Sequence, residues 1–257
     1  MDRGSVTLPG ETTHFGFRDV SAGEKAGLVG DVFRRVARRY DLMNDLMSLG
    51  VHRLWKAALL DRLAPRAGER VLDLAGGTGD IAFAIHRATS GAARILVCDI
   101  NEAMLGRGLD RAAERGLLPG AGLSWLAGDA EALPVADASV DAVTIAFGLR
   151  NVTHVDRALA EARRVLVPGG RFFCLEFSRV VLPGLDKVYD AWSFGALPRL
   201  GALVARDRAA YEYLVESIRR FPPQQELLAM MEAAGLARCR VQNLSGGIAA
   251  IHSGWRL

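Results

Sequence analysis

The amino-acid sequence predicts an α/β fold built on a doubly wound, mostly parallel sheet of seven strands, with N-terminal helices and a helical lid insertion. From residue 70 onward, short runs of branched apolar residues alternate with helical patterns, which is typical of parallel βαβ crossovers. The first run ends in a cluster of glycines that leads into a helix. With 257 residues, half of them hydrophobic, the chain is long enough for one full α/β domain with a large core.

The seven predicted strands are short segments rich in Val, Ile, Leu and Phe. Helical patterns follow the first, second and fourth, a loop follows the third, and the last two come after a final helix over residues 224–234. A helix over residues 155–166 is followed by a Pro-Gly-Gly turn, which stops it before the fifth strand. The strand segments, with their adjoining loops, span residues 70–80, 93–101, 122–134, 139–151, 171–178, 238–244 and 247–255.

The remaining segments are assigned to covering elements. Residues 1–22 are polar and glycine-rich and are predicted to form a flexible arm, whereas residues 23–257 are predicted to form a single domain. Apolar residues spaced three and four apart over residues 24–64 predict an N-terminal helical cover. Residues 179–223 break the strand–helix alternation and are rich in aromatic residues and glycine, so we expect an inserted lid over the substrate.

Charge, cysteine usage and hydropathy exclude several classes of protein. The chain has 32 basic and 29 acidic residues, a net charge of +3, and no block of Lys and Arg of the kind that binds nucleic acid. Its three cysteines are far apart and form no Cys-x-x-Cys pair, which predicts a reducing, cytoplasmic compartment and no zinc site. The sequence has no run of 18 apolar residues, so no transmembrane helix is predicted.

The glycine-rich turn after the first strand admits two interpretations. Gly76, Gly77 and Gly79 allow a ligand to approach the backbone at the tip of the strand, where doubly wound sheets bind nucleotides. Residues 77–82 loosely match the dinucleotide-binding pattern Gly-x-Gly-x-x-Gly/Ala, and Asp99 follows Gly79 by 20 residues. An ordinary tight turn is the structural alternative for the glycines.

The carboxylates around this turn favour S-adenosylmethionine over a dinucleotide. Asp73 lies inside the first strand, where it repels a pyrophosphate but attracts the ammonium and sulfonium of S-adenosylmethionine. Asp99, at the end of the second strand, suits the ribose hydroxyls of either ligand. Asp129, followed by Ala130, comes after the third strand, at the place expected for the adenine amino group. A helix cap for Asp99 and a loop residue for Asp129 are the structural alternatives.

Several motifs resemble those of known families. The glycine turn, the three aspartates and the Val-Leu-Val-Pro-Gly-Gly segment at residues 165–170 resemble the S-adenosylmethionine-dependent methyltransferase fold, which is Rossmann-like. Three further signatures, at residues 40–55, 147–153 and 164–178, closely resemble the ubiquinone/menaquinone biosynthesis C-methyltransferases. The resemblance covers nearly the whole chain, and the segment that begins at Tyr40 is far more specific than the glycine turn.

The resemblance implies an enzyme that uses S-adenosylmethionine as methyl donor and methylates a ring carbon of a polyprenylated benzoquinol or naphthoquinol. The family usually has serine where this chain has Ala146 and lysine where it has Val167, so one side-chain hydroxyl is absent from the expected cofactor pocket. The residues expected to bind the methyl donor are Asp73, Gly76, Gly77, Thr78, Gly79, Asp99, Ile100, Asp129, Ala130 and Ala146.

Methyl transfer to a ring carbon needs a stabilised phenolate, a route for a proton and close approach of the two reacting centres. The resemblance implies that Arg150 stabilises the phenolate, Asp80 accepts a proton directly or through water, and Tyr40 hydrogen-bonds the quinol oxygen. A surface ion pair, a first-turn helix carboxylate and core packing are their respective structural alternatives. For His52, three residues before Trp55, we expect a structural role rather than a catalytic one.

A polyprenyl tail needs an apolar channel, and residues 185–204 combine apolar residues with an interspersed arginine, Arg199. We expect this lid region and the N-terminal helices to form the channel and to contact the inner face of the membrane peripherally. Other quinone-biosynthesis proteins and a second copy of the chain are further candidate partners, whereas nucleic acid and metal are not expected. The functional alternatives are a methyltransferase for another lipid or small molecule, a non-catalytic scaffold in a quinone-synthesis complex, and a nicotinamide dehydrogenase.

Overall fold

A computed structural model describes residues 12–36, 45, 48, 50–117, 120–184, 187, 189, 191–196 and 208–257. The strands are β1 (Thr12–Phe15), β2 (Arg18–Ser21), β3 (Arg70–Leu74), β4 (Arg94–Asp99), β5 (Leu123–Ala127), β6 (Val140–Ala146), β7 (Leu166–Phe177), β8 (Ala237–Leu244) and β9 (Ala249–Trp255). The α-helices are α1 (Ala22–Val36), α2 (His52–Leu63), α3 (Asp80–Ala88), α4 (Glu102–Glu114), α5 (Val155–Val165), α6 (Arg208–Arg220) and α7 (Gln224–Ala233).

The predicted fold class is confirmed by a seven-stranded sheet with the order β5-β4-β3-β6-β7-β9-β8. The pairs from β5 to β7 are all parallel, and β9 runs antiparallel to both β7 and β8. The chain builds the sheet outward from β3 to β5 and then returns to place β6 on the other side of β3. This reversal opens a crevice at the carboxyl ends of β3 and β6, where ligands bind in doubly wound sheets.

Apolar side chains form a layer on each face of the sheet. Leu72 and Leu74 of β3 belong to the layer that includes α5 and α7, whereas Val71 belongs to the opposite layer with α2 and α3. Because side chains alternate along a strand, Asp73 shares the face of Val71. The strand therefore directs the Asp73 carboxylate toward α2 and α3, at the end of the sheet where the crevice opens.

The N-terminal segment differs from the predicted flexible arm, because residues 12–21 form an antiparallel hairpin of β1 and β2. The ring of Phe15 stacks on the ring of Tyr213 in α6, with centroids 4.2 Å apart. The backbone N–H of Phe17 donates a hydrogen bond to the Glu216 carboxylate at 3.0 Å. These contacts with α6 offset the entropy cost of ordering the hairpin. The rest of the predicted arm lies outside the described residues.

The structure places α1 and α2 within the predicted N-terminal helical cover, and most of the segment between them lies outside the described residues. α2 buries Trp55, Leu59 and Leu63 in the core layer beside the sheet. In the predicted lid, the structure describes a π-helical turn at Ala191–Ala196 and α6. Among the described residues, no helix combines the length and the apolar composition that crossing a membrane requires.

Leu59→Ala is expected to lower the free energy of unfolding by about 2–5 kcal/mol, because this fully buried side chain leaves a cavity when it is shortened. Leu54→Ala removes the same atoms from α2, but Leu54 is 70% exposed, and we expect a change below about 0.5 kcal/mol. Urea denaturation followed by circular dichroism measures both variants. Equal losses of stability would contradict this packing of α2.

Candidate active site

An open pocket lies at the carboxyl ends of β3, β4 and β6, where the strand order reverses. Its wall includes the turn between β3 and α3, the loops after β4, β5 and β6, and one face of α1. The cofactor-binding residues predicted from the sequence that line this pocket are Asp73, Gly76, Gly77, Thr78, Asp99, Ile100, Asp129, Ala130 and Ala146.

The turn between β3 and α3 needs glycine at two positions for different reasons. Gly79 has a φ of +83°, and a Cβ there would lie 2.6 Å from the Trp125 ring. At Gly76, a Cβ would lie 2.6 Å from Val97 and 2.9 Å from the Asp73 carboxylate. Gly79 therefore shapes the turn from outside the pocket wall, whereas Gly76 leaves space beside Asp73 for a ligand.

Asp99 holds this turn against the end of β4. Its Oδ2 accepts a hydrogen bond from the backbone N–H of Gly77 at 2.9 Å, and its Oδ1 accepts one from Asn101 at 2.8 Å. Burial raises the pKa of Asp99, and these two backbone hydrogen bonds oppose the rise. Asn101, not Asp99, caps α4, because its side chain accepts hydrogen bonds from Ala103 and Met104. The helix-cap alternative for Asp99 is therefore wrong, and Asn101 is a pocket residue that the sequence did not single out.

Asp73 carries a buried carboxylate that the described part of the chain satisfies only in part. Its Oδ1 accepts a hydrogen bond from the Thr144 hydroxyl at 2.9 Å, and its Oδ2 is buried without one among the described residues. Burial raises the pKa of Asp73 to about 7, although the Thr144 hydroxyl and the backbone N–H of Ala82 lower it. An ammonium group would give Oδ2 a charge-assisted partner and favour the ionised carboxylate. The donor set at this position therefore fits the methionine end of S-adenosylmethionine.

The loop after β5 brings two acidic residues to the pocket wall. Asp129 accepts a hydrogen bond from the backbone N–H of Glu131 at 2.9 Å, which fixes the start of the loop. Glu131, which the sequence did not single out, accepts hydrogen bonds from the backbone N–H groups of Thr153 and His154, each at 2.9 Å. Glu131 thus joins the loop after β5 to the loop after β6. Only the tertiary structure brings these two loops together.

Two non-glycine residues in the pocket wall adopt left-handed backbone conformations. Ala75 follows β3 with a φ of +49°, and Phe147 follows β6 with a φ of +57°. A Cβ on the adjacent Gly148 would lie 2.5 Å from the Cβ of Ala75, so the two strand ends pack closely there. Such conformations cost about 1–3 kcal/mol each and are concentrated at functional sites.

α1 forms the side of the pocket that the sequence described only as a helical cover. The Asn101 side chain donates to the Gly30 carbonyl at 3.4 Å, which ties α1 to the start of α4. Lys25 is buried, and its Nζ donates to the Val152 carbonyl at 2.9 Å, which ties α1 to the loop after β6. Burial lowers the pKa of Lys25 to about 8. The α1 residues in the wall are Ala26, Val29, Gly30 and Phe33.

Asp80, the predicted proton acceptor, lines the pocket as half of a double ion pair. Its two carboxylate oxygens lie 2.6 Å from Lys56 Nζ and 2.6 Å from Arg111 Nη2. Burial favours the neutral acid, but the attraction of both cations lowers the pKa of Asp80 to about 2. A carboxylate with this pKa is a poor general base at neutral pH. The geometry gives no support to a proton-accepting role, which stays a prediction.

Arg150, the predicted phenolate-stabilising residue, lies behind the pocket wall rather than in it. Its guanidinium is buried and forms an ion pair with Glu176 at 2.7 Å, and it donates to the Phe147 carbonyl at 2.6 Å. Its neighbours Phe147 and Gly148 line the pocket, so Arg150 supports the turn that faces the ligand. The ion pair is buried, in contrast to the surface pair that was the structural alternative. Tyr40, the third predicted catalytic residue, lies outside the described residues.

His52 has the contacts of a structural residue. It is buried at the start of α2, its Nε2 lies 2.9 Å from Asp45 Oδ1, and its backbone N–H donates to the Ser48 hydroxyl. Burial lowers the pKa of His52, and the contact with Asp45 opposes this effect. His52 does not line the pocket, which agrees with the predicted structural role.

A Rossmann-like sheet with this strand order and an acidic, glycine-lined pocket defines the class of S-adenosylmethionine-dependent methyltransferases. Residues 19–256 match the model of the ubiE/COQ5 methyltransferase family, and the chain belongs to that family. A relative from Brucella abortus (strain S19), the ubiquinone/menaquinone biosynthesis C-methyltransferase UbiE, is 58% identical over 95% of this chain and 90% of its own length. The protein of the same name from Brucella anthropi is 57% identical over 95% of this chain and 92% of its own length.

Solved structures show the same fold at low sequence identity. A possible histamine N-methyltransferase from Thermotoga maritima has a TM-score of 0.61 and 19% identity, and the match covers 89% of this chain and 100% of that one. A SAM-dependent methyltransferase from Aquifex aeolicus has a TM-score of 0.58 and 16% identity, over 79% of this chain and 89% of that one. These similarities establish the fold class.

We expect the affinity for S-adenosylmethionine to rise with pH from about 5.5 to 7, by up to tenfold per pH unit. This follows from the predicted contact between Asp73 and the ligand ammonium, because burial raises the pKa of Asp73 to about 7 and the carboxyl would have to lose its proton to form that contact. Asp73→Asn is expected to bind more weakly at pH 7 and to lose this slope, as measured by isothermal titration calorimetry. Asp110→Asn, at an exposed position on α4, serves as the control. An Asp73→Asn variant with the wild-type slope would contradict the assignment.

Proposed function

We propose that this protein transfers a methyl group from S-adenosylmethionine to a ring carbon of a polyprenylated benzoquinol or naphthoquinol in ubiquinone or menaquinone biosynthesis. The observation that carries the proposal is the identity of 58% with a UbiE relative over 95% of the chain, combined with an intact acidic pocket at the strand reversal. The family match argues against the nicotinamide dehydrogenase, and the partly satisfied Asp73 carboxylate argues against a scaffold that has lost its ligand.

Different pocket residues are assigned to different parts of the ligand. We assign the ligand ammonium to Asp73, the ribose hydroxyls to Asp99, and the adenine end to Asp129 and Ala130, since all four line the pocket. When bound, S-adenosylmethionine supplies an electrophilic methyl group. Ala146 also lines the pocket, and its methyl group cannot replace the hydroxyl of the usual family serine, so we assign any contact at this position to the backbone.

The acceptor carbon must gain electron density before the methyl group transfers. We propose that the acceptor hydroxyl first gives its proton to water, and that the ring carbon then takes the methyl group while the methyl–sulfur bond breaks and its electron pair stays on the departing S-adenosylhomocysteine. The proton on the methylated ring carbon then passes through water to the phenolate oxygen, which restores the aromatic quinol. We propose that Arg150 holds the Phe147–Gly148 turn, which frames the pocket, through its hydrogen bond to the Phe147 carbonyl. Its pairing with Glu176 behind the wall makes this positioning role the first assignment, ahead of the predicted stabilisation of the phenolate. Because Asp80 is paired with two cations, we assign it to the architecture of the pocket ahead of the predicted role as base.

We expect a strain that lacks this gene to accumulate a quinone precursor short of one methyl group, and the wild-type gene to restore the methylated product. Arg150→Lys keeps a positive charge but shortens the side chain and removes the Nη1 group that donates to both Glu176 and the Phe147 carbonyl, so we expect most of the precursor to stay unmethylated. Mass spectrometry of extracted quinones gives the result, with protein level and melting temperature measured alongside. An unchanged quinone profile in the deletion strain would overturn the proposed function.

Peripheral contact with the membrane is part of the proposal, because the polyprenyl substrate resides in the bilayer. Val181 and Leu182, at the start of the lid, are adjacent and more than half exposed, at 54% and 53%. Phe17, at the tip of the hairpin, is 50% exposed, and the Arg220 guanidinium lies 6.0 Å from its ring centroid. Exposed apolar side chains next to arginine suit the interface of an anionic bilayer.

The double variant Val181→Ser/Leu182→Ser is expected to float less with anionic liposomes that contain quinol than the wild type does, because two apolar contacts with the bilayer are lost. Leu109→Ser removes an equally exposed leucine from α4 and is expected to float like the wild type. Failure of the wild type to float, with or without quinol, would exclude the membrane contact.

A further inference from the structure

The wall of this acidic pocket also contains a lysine. Lys56 of α2 lines the pocket with its side chain 14% exposed, and its Nζ lies 2.6 Å from Asp80 Oδ2. None of the ligand groups assigned above to Asp73, Asp99 and Asp129 needs a cation. Burial of a lysine costs desolvation energy, which the ion pair with Asp80 offsets, and the pocket-facing ammonium can take a negatively charged ligand group as a second partner.

The charges around Lys56 leave an excess of positive charge on this side of the pocket. Asp80 lies between Lys56 and Arg111, whose guanidinium also donates to the Thr78 hydroxyl at 2.5 Å. One carboxylate therefore faces two cations. Asp80 is also the first residue of α3, whose N-terminus adds a partial positive charge at the same place. Of the two cations, Lys56 is the one that lines the pocket.

Lys56 and Asp73 both line the pocket but are bonded to different partners. The positive charge of Lys56 is near enough to lower the pKa of Asp73, against the larger effect of burial. Asp73 is hydrogen-bonded to Thr144, and Lys56 is paired with Asp80. A carboxylate and an ammonium in the wall of one pocket are complementary to the ammonium and carboxylate of an α-amino acid, which lie on the same carbon.

We propose that Lys56 binds the carboxylate of the methionine end of S-adenosylmethionine, while Asp73 binds its ammonium. This inference rests on the proposed function and adds a residue that recognises the amino-acid end of the methyl donor. Asp80 holds the Lys56 ammonium beside the turn. Because Arg111 also pairs with Asp80, the positive charge of Lys56 is only partly compensated and can attract the ligand carboxylate. Lys56 thereby discriminates between ligands that have this carboxylate and ligands that lack it.

The test compares S-adenosylmethionine with decarboxylated S-adenosylmethionine, which differ only in the carboxylate. Calorimetric titration of the full-length wild-type protein is expected to show a preference of about 10- to 100-fold for the carboxylated ligand, the range of a charge-assisted contact. Lys56→Met is expected to lose this preference by binding S-adenosylmethionine more weakly and the decarboxylated ligand as well as before. Lys56→Arg, which keeps the charge, is expected to retain most of the preference.

Arg53→Met is the matched control, because it removes a cation from the same helix at a solvent-facing position that does not line the pocket. It is expected to keep the wild-type preference, and melting temperatures establish that each variant folds. A Lys56→Met variant that keeps the preference but methylates quinol slowly would place Lys56 on the acceptor side and overturn the inference. A wild type that binds both ligands equally would overturn this inference alone, whereas a wild type that binds neither would overturn the proposed function.

Discussion

The pocket depends on the hydrogen bond between the Asp99 carboxylate and the backbone N–H of Gly77. This 2.9 Å contact joins the turn after β3 to the end of β4 across two parallel strands. The contact fixes the distance between the turn backbone and the end of β4. The neighbouring position 76 requires glycine, because a Cβ there would collide with Val97 and Asp73. The loops after β5 and β6 and the helix α1 all close around the turn held in this way.

Charge organises the pocket as much as shape does. Asp73, Asp99 and Asp129 line one part of the wall, and Lys56 introduces a positive charge beside the glycine turn. Burial keeps the pKa of Asp73 near 7, whereas two cations hold the pKa of Asp80 near 2. Two aspartates seven residues apart thus differ in protonation because they have different neighbours. Asp73 is available to a cationic ligand, and Asp80 is already occupied by the protein itself.

Arg150 shows how burial changes the interpretation of a residue that the sequence singles out. The segment after β6 predicted an arginine that faces the ligand, but the guanidinium turns away to Glu176 and the Phe147 carbonyl. A buried arginine without a carboxylate partner is very unfavourable, so the position of Glu176 on β7 determines where Arg150 points. We propose that its effect on the pocket passes through the strained Phe147–Gly148 turn, which it holds by the Phe147 carbonyl.

The sequence by itself determined the fold class, the glycine turn and the acidic residues at or near the ends of three strands. These features are local: side-chain alternation, glycine spacing and a carboxylate at a strand tip each occupy a few neighbouring positions. Only the tertiary structure decided that Lys56 and Glu131 join the pocket, that α1 forms a wall, and that residues 12–21 pack against α6. Those contacts link positions distant in the chain, and their energies come from burial and ion pairing that no local pattern encodes.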